Sequence, residues 1–502
     1  MMNNLLPLLV AIPLGVGFFI PLAVRWHARS AELLSNLALL ALTAISLSLN
    51  GREFTYHMGG WASPLGIDLR VDGLTTLMLL TINILALIIG IYSVVYMQRY
   101  TSQHRYYSLL MFLVAGTNGV AITGDLFNLY VFMEITAIAS YALVAFSGED
   151  ESFEASFKYL VLGGLSSSVI LIGITLTYAM TGTLNMTQLA GRLDEVGTSG
   201  PVKFALALFF CGFGLKAALV PFHVWLPDAY PAAPAPVSAL LSGVVSKVIG
   251  VYVLARLLFN VFGIDDEMLL LMRWLGGITM VVGGLLALGQ WDIKRLFAYS
   301  SVSQVGLIVL ALGFGTTWGL VGALFHLVNH AVFKPLLFLC SGQLETALGT
   351  RDLRDMGGRG RQLPITSATC LIGSLSLAGI PPLNGFWSKL IIVLVGIQTG
   401  HTLWAITVVV ISIVALAYQL KVQQEAFYSD ADSYSDADST TDDPLSVDRQ
   451  PQRIKESVFA TLPMALLAIG CVGTALLAVP GLEHPLLIGP AADALMRGVW
   501  TP

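Results

Sequence analysis

Four lysines lie where lysine is least stable. Lys216, Lys247, Lys334 and Lys389 fall inside long apolar runs, and Glu134 is the acid that lies well inside one, with Asp125 at the mouth of the same run. A lysine at the centre of a bilayer costs about 2.5–3.5 kcal/mol on insertion scales, so four imply roughly 10–14 kcal/mol before pairing or hydration. Ionisable groups held at that cost usually mark function; the plain alternatives are snorkelling and structural pairing. Lys216 ends a charge-free run from Phe204 to Leu215 and is too deep to snorkel easily. Lys247 lies mid-run, beyond Pro236, and Lys389 follows Gly385 by one helical turn. Lys334 precedes Pro335, closer to the end of its run, where snorkelling and function stand equal.

Glu134 is the natural counter-ion for one of these amines. A carboxylate within about 6 Å, at an effective dielectric near 20, favours the ammonium by about 2.8 kcal/mol. Burial favours the neutral amine. A lysine caught between the two changes protonation when the carboxylate moves, which makes a switch from position alone. His326 and His330 are four residues apart, on one helix face, with Lys334 following on the same stripe. Imidazole titrates near neutral pH and passes protons along. Core hydrogen bonding and a two-histidine metal site are the other readings, although no acidic third ligand is close in sequence. The polar order is Glu134, Lys216, Lys247, His326/His330, Lys389. A carrier of organic solutes would want a shaped cavity of mixed donors and acceptors. A lysine-rich row with one acid suits protons.

The elements that must hold this row are membrane helices. The chain has 502 residues, 56% apolar and 11% charged, where a soluble domain carries about 25% charged. Mean hydropathy is +0.77. An all-α polytopic membrane protein follows, in contact with the lipid bilayer, and soluble enzymes and nucleic-acid binders are excluded. Fourteen candidate spans lie near 4–24, 32–49, 73–97, 107–123, 127–146, 157–182, 202–226, 236–261, 268–289, 296–315, 318–341, 365–398, 403–427 and 457–480. Cys211, Cys340, Cys370 and Cys471 each stand alone in an apolar run, without metal-ligand spacing. No nucleotide fingerprint follows a strand. No cofactor and no metal is expected.

Basic residues set the orientation. With the N-terminus outside, 15 of the 26 Lys and Arg fall on the cytoplasmic side and seven outside. That bias places both termini outside a cell (inner) membrane. Two spans are interrupted. One carries Pro221, Pro227, Pro231, Pro234 and Pro236; the other carries Gly379-Ile-Pro381-Pro382-Leu-Asn-Gly385. Helices broken five spans apart suggest two inverted five-helix repeats with a transport route at the midplane. The expected organisation is N-terminal spans over 1–106, repeats over 107–261 and 268–427, an acidic disordered cytoplasmic linker over 428–456, and a last span and tail over 457–502. The linker repeats Tyr428-Ser-Asp-Ala-Asp-Ser433 as Tyr434-Ser-Asp-Ala-Asp-Ser439 and reads as a solvated tether.

Five stretches carry a resemblance. They are Gly124-Asp-Leu-Phe-Asn-Leu-Tyr-Val-Phe-Met-Glu134; Leu215 to Ala229; Ala235 to Lys247; Asp292 to Ser301 with Ser303-Gln-Val-Gly306; and Phe325 to Gly342 with Gly379 to Lys389. Over about residues 65–425 the chain resembles the proton-translocating antiporter-like subunits of respiratory complex I, membrane-bound hydrogenases and Mrp-type sodium/proton antiporters. The resemblance implies fourteen helices in two inverted five-helix repeats. It assigns Glu134 as the span-five acid paired with Lys216, Lys247 as the central relay lysine, His326 and His330 as the histidine stretch, and Lys389 as the terminal residue. Asp-Leu-Phe-Asn-Leu-Tyr-Val-Phe-Met-Glu looks most like the D-type branch of the Mrp antiporters and its hydrogenase counterpart. The implied partners are other membrane subunits, H+ and Na+. Two functions follow: a proton path in a cation/proton antiporter, or the pump subunit of a redox complex whose partners carry the redox chemistry. Neither places a catalytic site of its own in this chain.

Overall fold

Short polar residues set the helix starts. Asp72, Asp125, Asp265, Asp292 and Thr316 each accept a hydrogen bond from a backbone amide three residues on, at 2.8–3.1 Å. Each stands one residue ahead of its helix, so the sequence marks where a helix enters. The computed structural model describes residues 5–27, 29–197, 199–429, 456–478 and 487–498. The expected linker over 428–456 lies almost wholly outside the described residues.

The first helices are α1 (Leu8–Ala23), α2 (Ser30–Ser48), α3 (Gly73–Tyr96), α4 (Gln103–Ile122), α5 (Leu126–Val144) and α6 (Asp150–Thr181). A surface helix α7 (Met186–Val196) precedes α8 (Gly200–Lys216) and the short α9 (Leu226–Ala232). Then comes one continuous helical stretch, Ala235–Val261, which contains α10 (Ala235–Leu240) and α11 (Val253–Arg256). It is followed by α12 (Asp266–Leu288), α13 (Ile293–Leu312), α14 (Thr317–Leu348), α15 (Pro364–Ala378), α16 (Asn384–Gln398), α17 (Thr402–Gln423), α18 (Val458–Gly473) and α19 (Ile488–Met496).

Ten helical stretches among the described residues are long and apolar enough to cross a membrane. The other four apolar runs take different forms. The run near 4–24 gives the 16-residue α1, and the run near 107–123 gives the more polar α4. Those near 202–226 and 365–398 are interrupted helices. Large apolar side chains such as Phe18, Leu33, Ile138, Phe157, Ile413 and Ile469 point outward, while Lys, His, Asn and Ser side chains are enclosed. That inversion is what a lipid solvent selects.

The first interruption follows from proline. Helix α8 stops at Lys216, and Ala218 takes a left-handed φ of 59°. Pro221 has no amide to continue the ladder. The freed groups find partners: Trp225 Nε1 donates to the Leu215 carbonyl at 2.9 Å, the Leu219 amide to Gly214 at 2.8 Å, and the Val220 amide to Thr279 Oγ1 at 3.0 Å. A membrane tolerates unwound backbone only on such terms. The second interruption spans Gly379 to Leu383, between α15 and α16.

The stretch Ala235–Val261 is wholly enclosed by other helices. Its middle, Leu241–Tyr252, is wound in wide i→i+5 turns around Lys247, a rare form that is frequent at functional sites. Gly250 lets this stretch lie against the first interruption: a Cβ there would come within 2.6 Å of Ala217 Cα.

Three features escaped the sequence reading. An antiparallel hairpin pairs Phe54–His57 with Asp68–Val71, with Phe54 opposite Val71, so the all-α expectation is corrected by one small sheet. Its strands are four residues long, too short to show a period. Helix α7 buries only Met186, Leu189, Ala190 and Leu193, and α19 is a nine-residue cap. These pieces share one face of the protein with a buried cluster. There Arg256 pairs with Asp72 and donates to Thr75 Oγ1 at 3.1 Å and Asn260 Oδ1 at 3.0 Å, and Asn260 in turn holds the Ala494 and Gly498 carbonyls at 2.9 Å. Burial pushes the Asp72 carboxyl up, but the Arg256 guanidinium overrides it and holds the carboxyl below its ordinary value. The stabilisation is therefore full at neutral pH and fades as acid protonates Asp72. Asp72→Ala strips the carboxylate from a buried guanidinium, and a loss of about 3–5 kcal/mol is expected. Thermal unfolding of the purified protein in detergent checks it, and an unchanged midpoint refutes it.

Candidate functional site

Glu134 sits on α5, facing α6. It accepts a short hydrogen bond from the Ser167 hydroxyl. Lys216, the last residue of α8, donates from Nζ to the same Ser167 Oγ at 3.1 Å and to the Gly163 carbonyl at 3.3 Å. The expected direct Glu134–Lys216 ion pair is therefore replaced by a hydroxyl bridge. The physical reason lies in α6, where Gly163 and Ser167, one turn apart and both buried, present a carbonyl and a hydroxyl to Lys216. Ser167 was missed in the sequence reading, yet three successive serines in an apolar span were a legible signal. Asp125, at the start of α5, is used as its helix cap.

Lys247 is fully buried, and its Nζ donates to Ser246 Oγ at 3.1 Å. His326 on α14 is held on both sides, by Gln304 Oε1 at 3.0 Å and by Ser388 Oγ at 2.9 Å. Both ring nitrogens are engaged in hydrogen bonds, which fix the orientation of the ring. His330, one turn on, is equally buried, with neither ring nitrogen hydrogen-bonded, and its ring packs on Phe333 at 5.3 Å. Lys334 does not snorkel. It is fully buried and donates to the Phe297 carbonyl at 2.8 Å and to Ser300.

Lys389 reaches back across the second interruption. Its Nζ donates to the carbonyls of Leu377 at 2.7 Å and Ala378 at 3.1 Å, the last two residues of α15. The helix end leaves those oxygens without intrahelical partners and carries partial negative charge, so an ammonium suits it.

The structure thus gathers the predicted residues into two groups. Glu134 and Lys216 share Ser167. Lys247 lies within electrostatic reach of His326, His330 and Lys334, and Lys389 within reach of His326. Gln304 and Ser388, the clamps on His326, stood inside the stretches Ser303-Gln-Val-Gly306 and Trp-Ser-Lys389 without drawing notice, because neither is ionisable.

One membrane face adds a charged cavity of 410 Å³. Asp228, on α9 just past the first interruption, accepts from Lys158 at 3.0 Å and Arg295 at 3.3 Å. Arg351 donates to Glu151 at 2.8 Å and to the Pro231 carbonyl at 2.9 Å, and pairs with Asp292 at 3.3 Å. Burial pushes the Asp292 carboxyl up, against the pull of Arg351. Beside the cavity, Lys294 is buried against Glu345 at 2.6 Å, not in a solvated loop. From the sequence, Lys158, Lys294, Arg295 and Arg351 count only among the basic residues of the cytoplasmic loops.

The chain is a helical membrane protein with two interrupted helices and an interior row of lysines and histidines, and it has recognisable relatives. Residues 123–415 match the family described as NADH:quinone oxidoreductase/Mrp antiporter, TM, and residues 61–107 match NADH-Ubiquinone oxidoreductase (complex I), chain 5 N-terminus. The chain belongs to the NADH:quinone oxidoreductase/Mrp antiporter family. It is 37% identical to the N-type NADH-quinone oxidoreductase subunit of Desulforudis audaxviator, over 84% of this chain and 86% of the relative. It is 33% identical to the D-type Na(+)/H(+) antiporter subunit of Alkalihalophilus pseudofirmus, over 86% and 88%. Among solved structures it is similar to a chain of the membrane-bound sulfane sulfur reductase, an archaeal respiratory membrane complex, with TM-score 0.88, 32% identity and coverage of 98% and 97%. A chain of the Mrp complex from Dietzia sp. DQ12-45-1b gives TM-score 0.87, 28% identity and coverage of 99% and 98%.

Proposed function

We propose that this chain is the proton-translocating membrane subunit of a multi-subunit Na+/H+ antiporter of the Mrp type. Protons pass along Glu134, Lys216, Lys247, His326, His330 and Lys389. The observation that carries this reading is the Glu134–Ser167–Lys216 bridge at the end of an interrupted helix. A carboxylate and an amine joined through one hydroxyl share a proton, and a shift of either helix breaks the sharing. The partners are other membrane subunits of the complex.

Two features support fourteen spans in two inverted repeats, over 107–261 and 268–427. Each interrupted helix ends its first half at a lysine ammonium: Lys216 closes α8, and Lys389 closes α15 from across the gap. The face that carries Lys158, Arg295 and Arg351 is the cytoplasmic one by the basic-residue bias, in an inner cell membrane with both termini outside.

The test uses inverted vesicles containing the intact complex. An imposed Na+ gradient is expected to drive proton movement. Glu134→Ala is expected to slow it by at least about 100-fold, the usual worth of a proton-transfer group, with subunit content unchanged because Lys216 discharges by losing its proton. Full transport in the assembled Glu134→Ala complex overturns the reading. The 37% identity to an NADH-quinone oxidoreductase subunit and the fit to a respiratory complex favour a second reading, the pump subunit of a redox complex. Proton uptake that needs an electron donor and ignores Na+ would select it.

A further inference from the structure

Between the charged cavity and Lys216 lies a layer of aromatic rings. Helix α6 presents Ala155, Tyr159, Gly163 and Ser167 at four-residue spacing, one above another on a single face. Ala155 lines the cavity, and Ser167 is the bridge to Glu134 and Lys216. Tyr159 closes the space between them. It stacks on Trp225 at 4.3 Å and 6°, and meets Tyr141 edge-on at 4.6 Å and 88°. Trp225 is itself tied to the interrupted helix through its bond to the Leu215 carbonyl.

The Trp225 N–H in this layer is hydrogen-bonded, but the hydroxyl of Tyr141 is not. The Tyr141 hydroxyl is buried and has no hydrogen-bond partner, on a residue 7% exposed. It lies over Gly163, where a Cβ would come within 1.9 Å of the hydroxyl oxygen, so only glycine leaves room for it. The carbonyl of that same Gly163 holds Lys216 Nζ, and Tyr141 lies within electrostatic reach of Glu134. A buried phenol without a partner forfeits a hydrogen bond, which is unusual enough to call for a role.

We propose that Tyr141 is the entry hydroxyl of the path. Its oxygen takes a proton from the cavity side as its own proton passes to the free amine of Lys216, or to Ser167 Oγ as the Ser167 proton moves on to the Glu134 carboxylate. One O–H bond forms as another breaks, and the phenol ends neutral. The Tyr159–Trp225 stack keeps bulk water from crossing beside it. This rests on the reading that Lys216 is the receiving amine.

Tyr141→Phe removes the hydroxyl and keeps the edge-on ring. In the intact complex in inverted vesicles, the initial rate of proton movement is expected to fall about 100-fold, the usual worth of a proton-transfer group. Subunit content is expected to stay unchanged, and the ratio of rates in H2O and D2O to rise, since proton entry becomes limiting. A rate that falls only in proportion to lost subunit, or an unchanged isotope ratio, overturns the role by making the ring merely structural. The Lys216→Met complex is measured beside it. If that complex is inactive while Tyr141→Phe transports normally, the entry role is wrong and the amine reading stands. If Lys216→Met transports normally, the underlying reading fails and this role with it.

Discussion

Lys247→Met is expected to stop proton translocation while leaving the complex assembled. Lys247 is fully buried in the wide-turn stretch, and Ser246 Oγ is its hydrogen-bond partner. Among the described residues no carboxylate lies within ion-pair distance of it. An ammonium so placed is held at a cost of about 2.5–3.5 kcal/mol, and Lys334 and the two histidines nearby add no counter-charge. Methionine keeps the length and apolar bulk, removes that cost and removes the proton site. Assembly should therefore be equal or better, and transport absent. Lys247→Arg keeps a charge that does not leave at usable pH, so it is expected to fail as well. The measurement is pH-gradient formation in inverted vesicles, with subunit content checked by blotting. If Lys247→Arg transports normally, a fixed positive charge is what the site needs, and Lys247 leaves the relay.

The row was legible because charge in an apolar run is visible without any structure. Lys216, Lys247 and Lys389 stood out by cost alone, and the prolines at 221 and 381–382 located both interruptions. What could not be read was how neutral groups fill the gaps. Ser167 lies on α6, 33 residues from Glu134 and 49 from Lys216, and no local pattern states that it stands between them. The same holds for Tyr141, whose importance lies in a missing partner. Lys334 stayed open for a related reason: nearness to the end of a run says nothing of what covers that end, and here Phe297 and Ser300 do. The wide turns around Lys247 were also invisible, since a stretch buried on all sides shows no amphipathic period. The surface pieces failed on length, because four-residue strands and a nine-residue helix fall below any window that averages composition.

Lys389 poses the sharpest test, because the structure shows it as a helix cap and the proposed path needs it as a relay. Its ammonium is a cap on α15, holding the Leu377 and Ala378 carbonyls at 2.7 and 3.1 Å. A cation at a helix C-terminus is worth about 0.3–1 kcal/mol, and up to about 2 in buried geometry. Lys389→Met leaves those carbonyls short of a donor, at about 1–3 kcal/mol, and relieves about 2.5–3.5 kcal/mol of insertion cost. The two nearly cancel, so the Met complex should assemble. Lys389→Arg keeps the cap, with donors to spare for both carbonyls, yet holds its proton permanently. A relay residue fails in both variants; a cap fails at most in Met. Proton translocation in inverted vesicles is expected to be lost in both, by at least about 100-fold, with subunit content near normal in each. Should Lys389→Arg transport at the native rate, the ammonium is only a fastening for the interrupted helix, and the relay must end at His326, which Ser388 and Gln304 already hold in place.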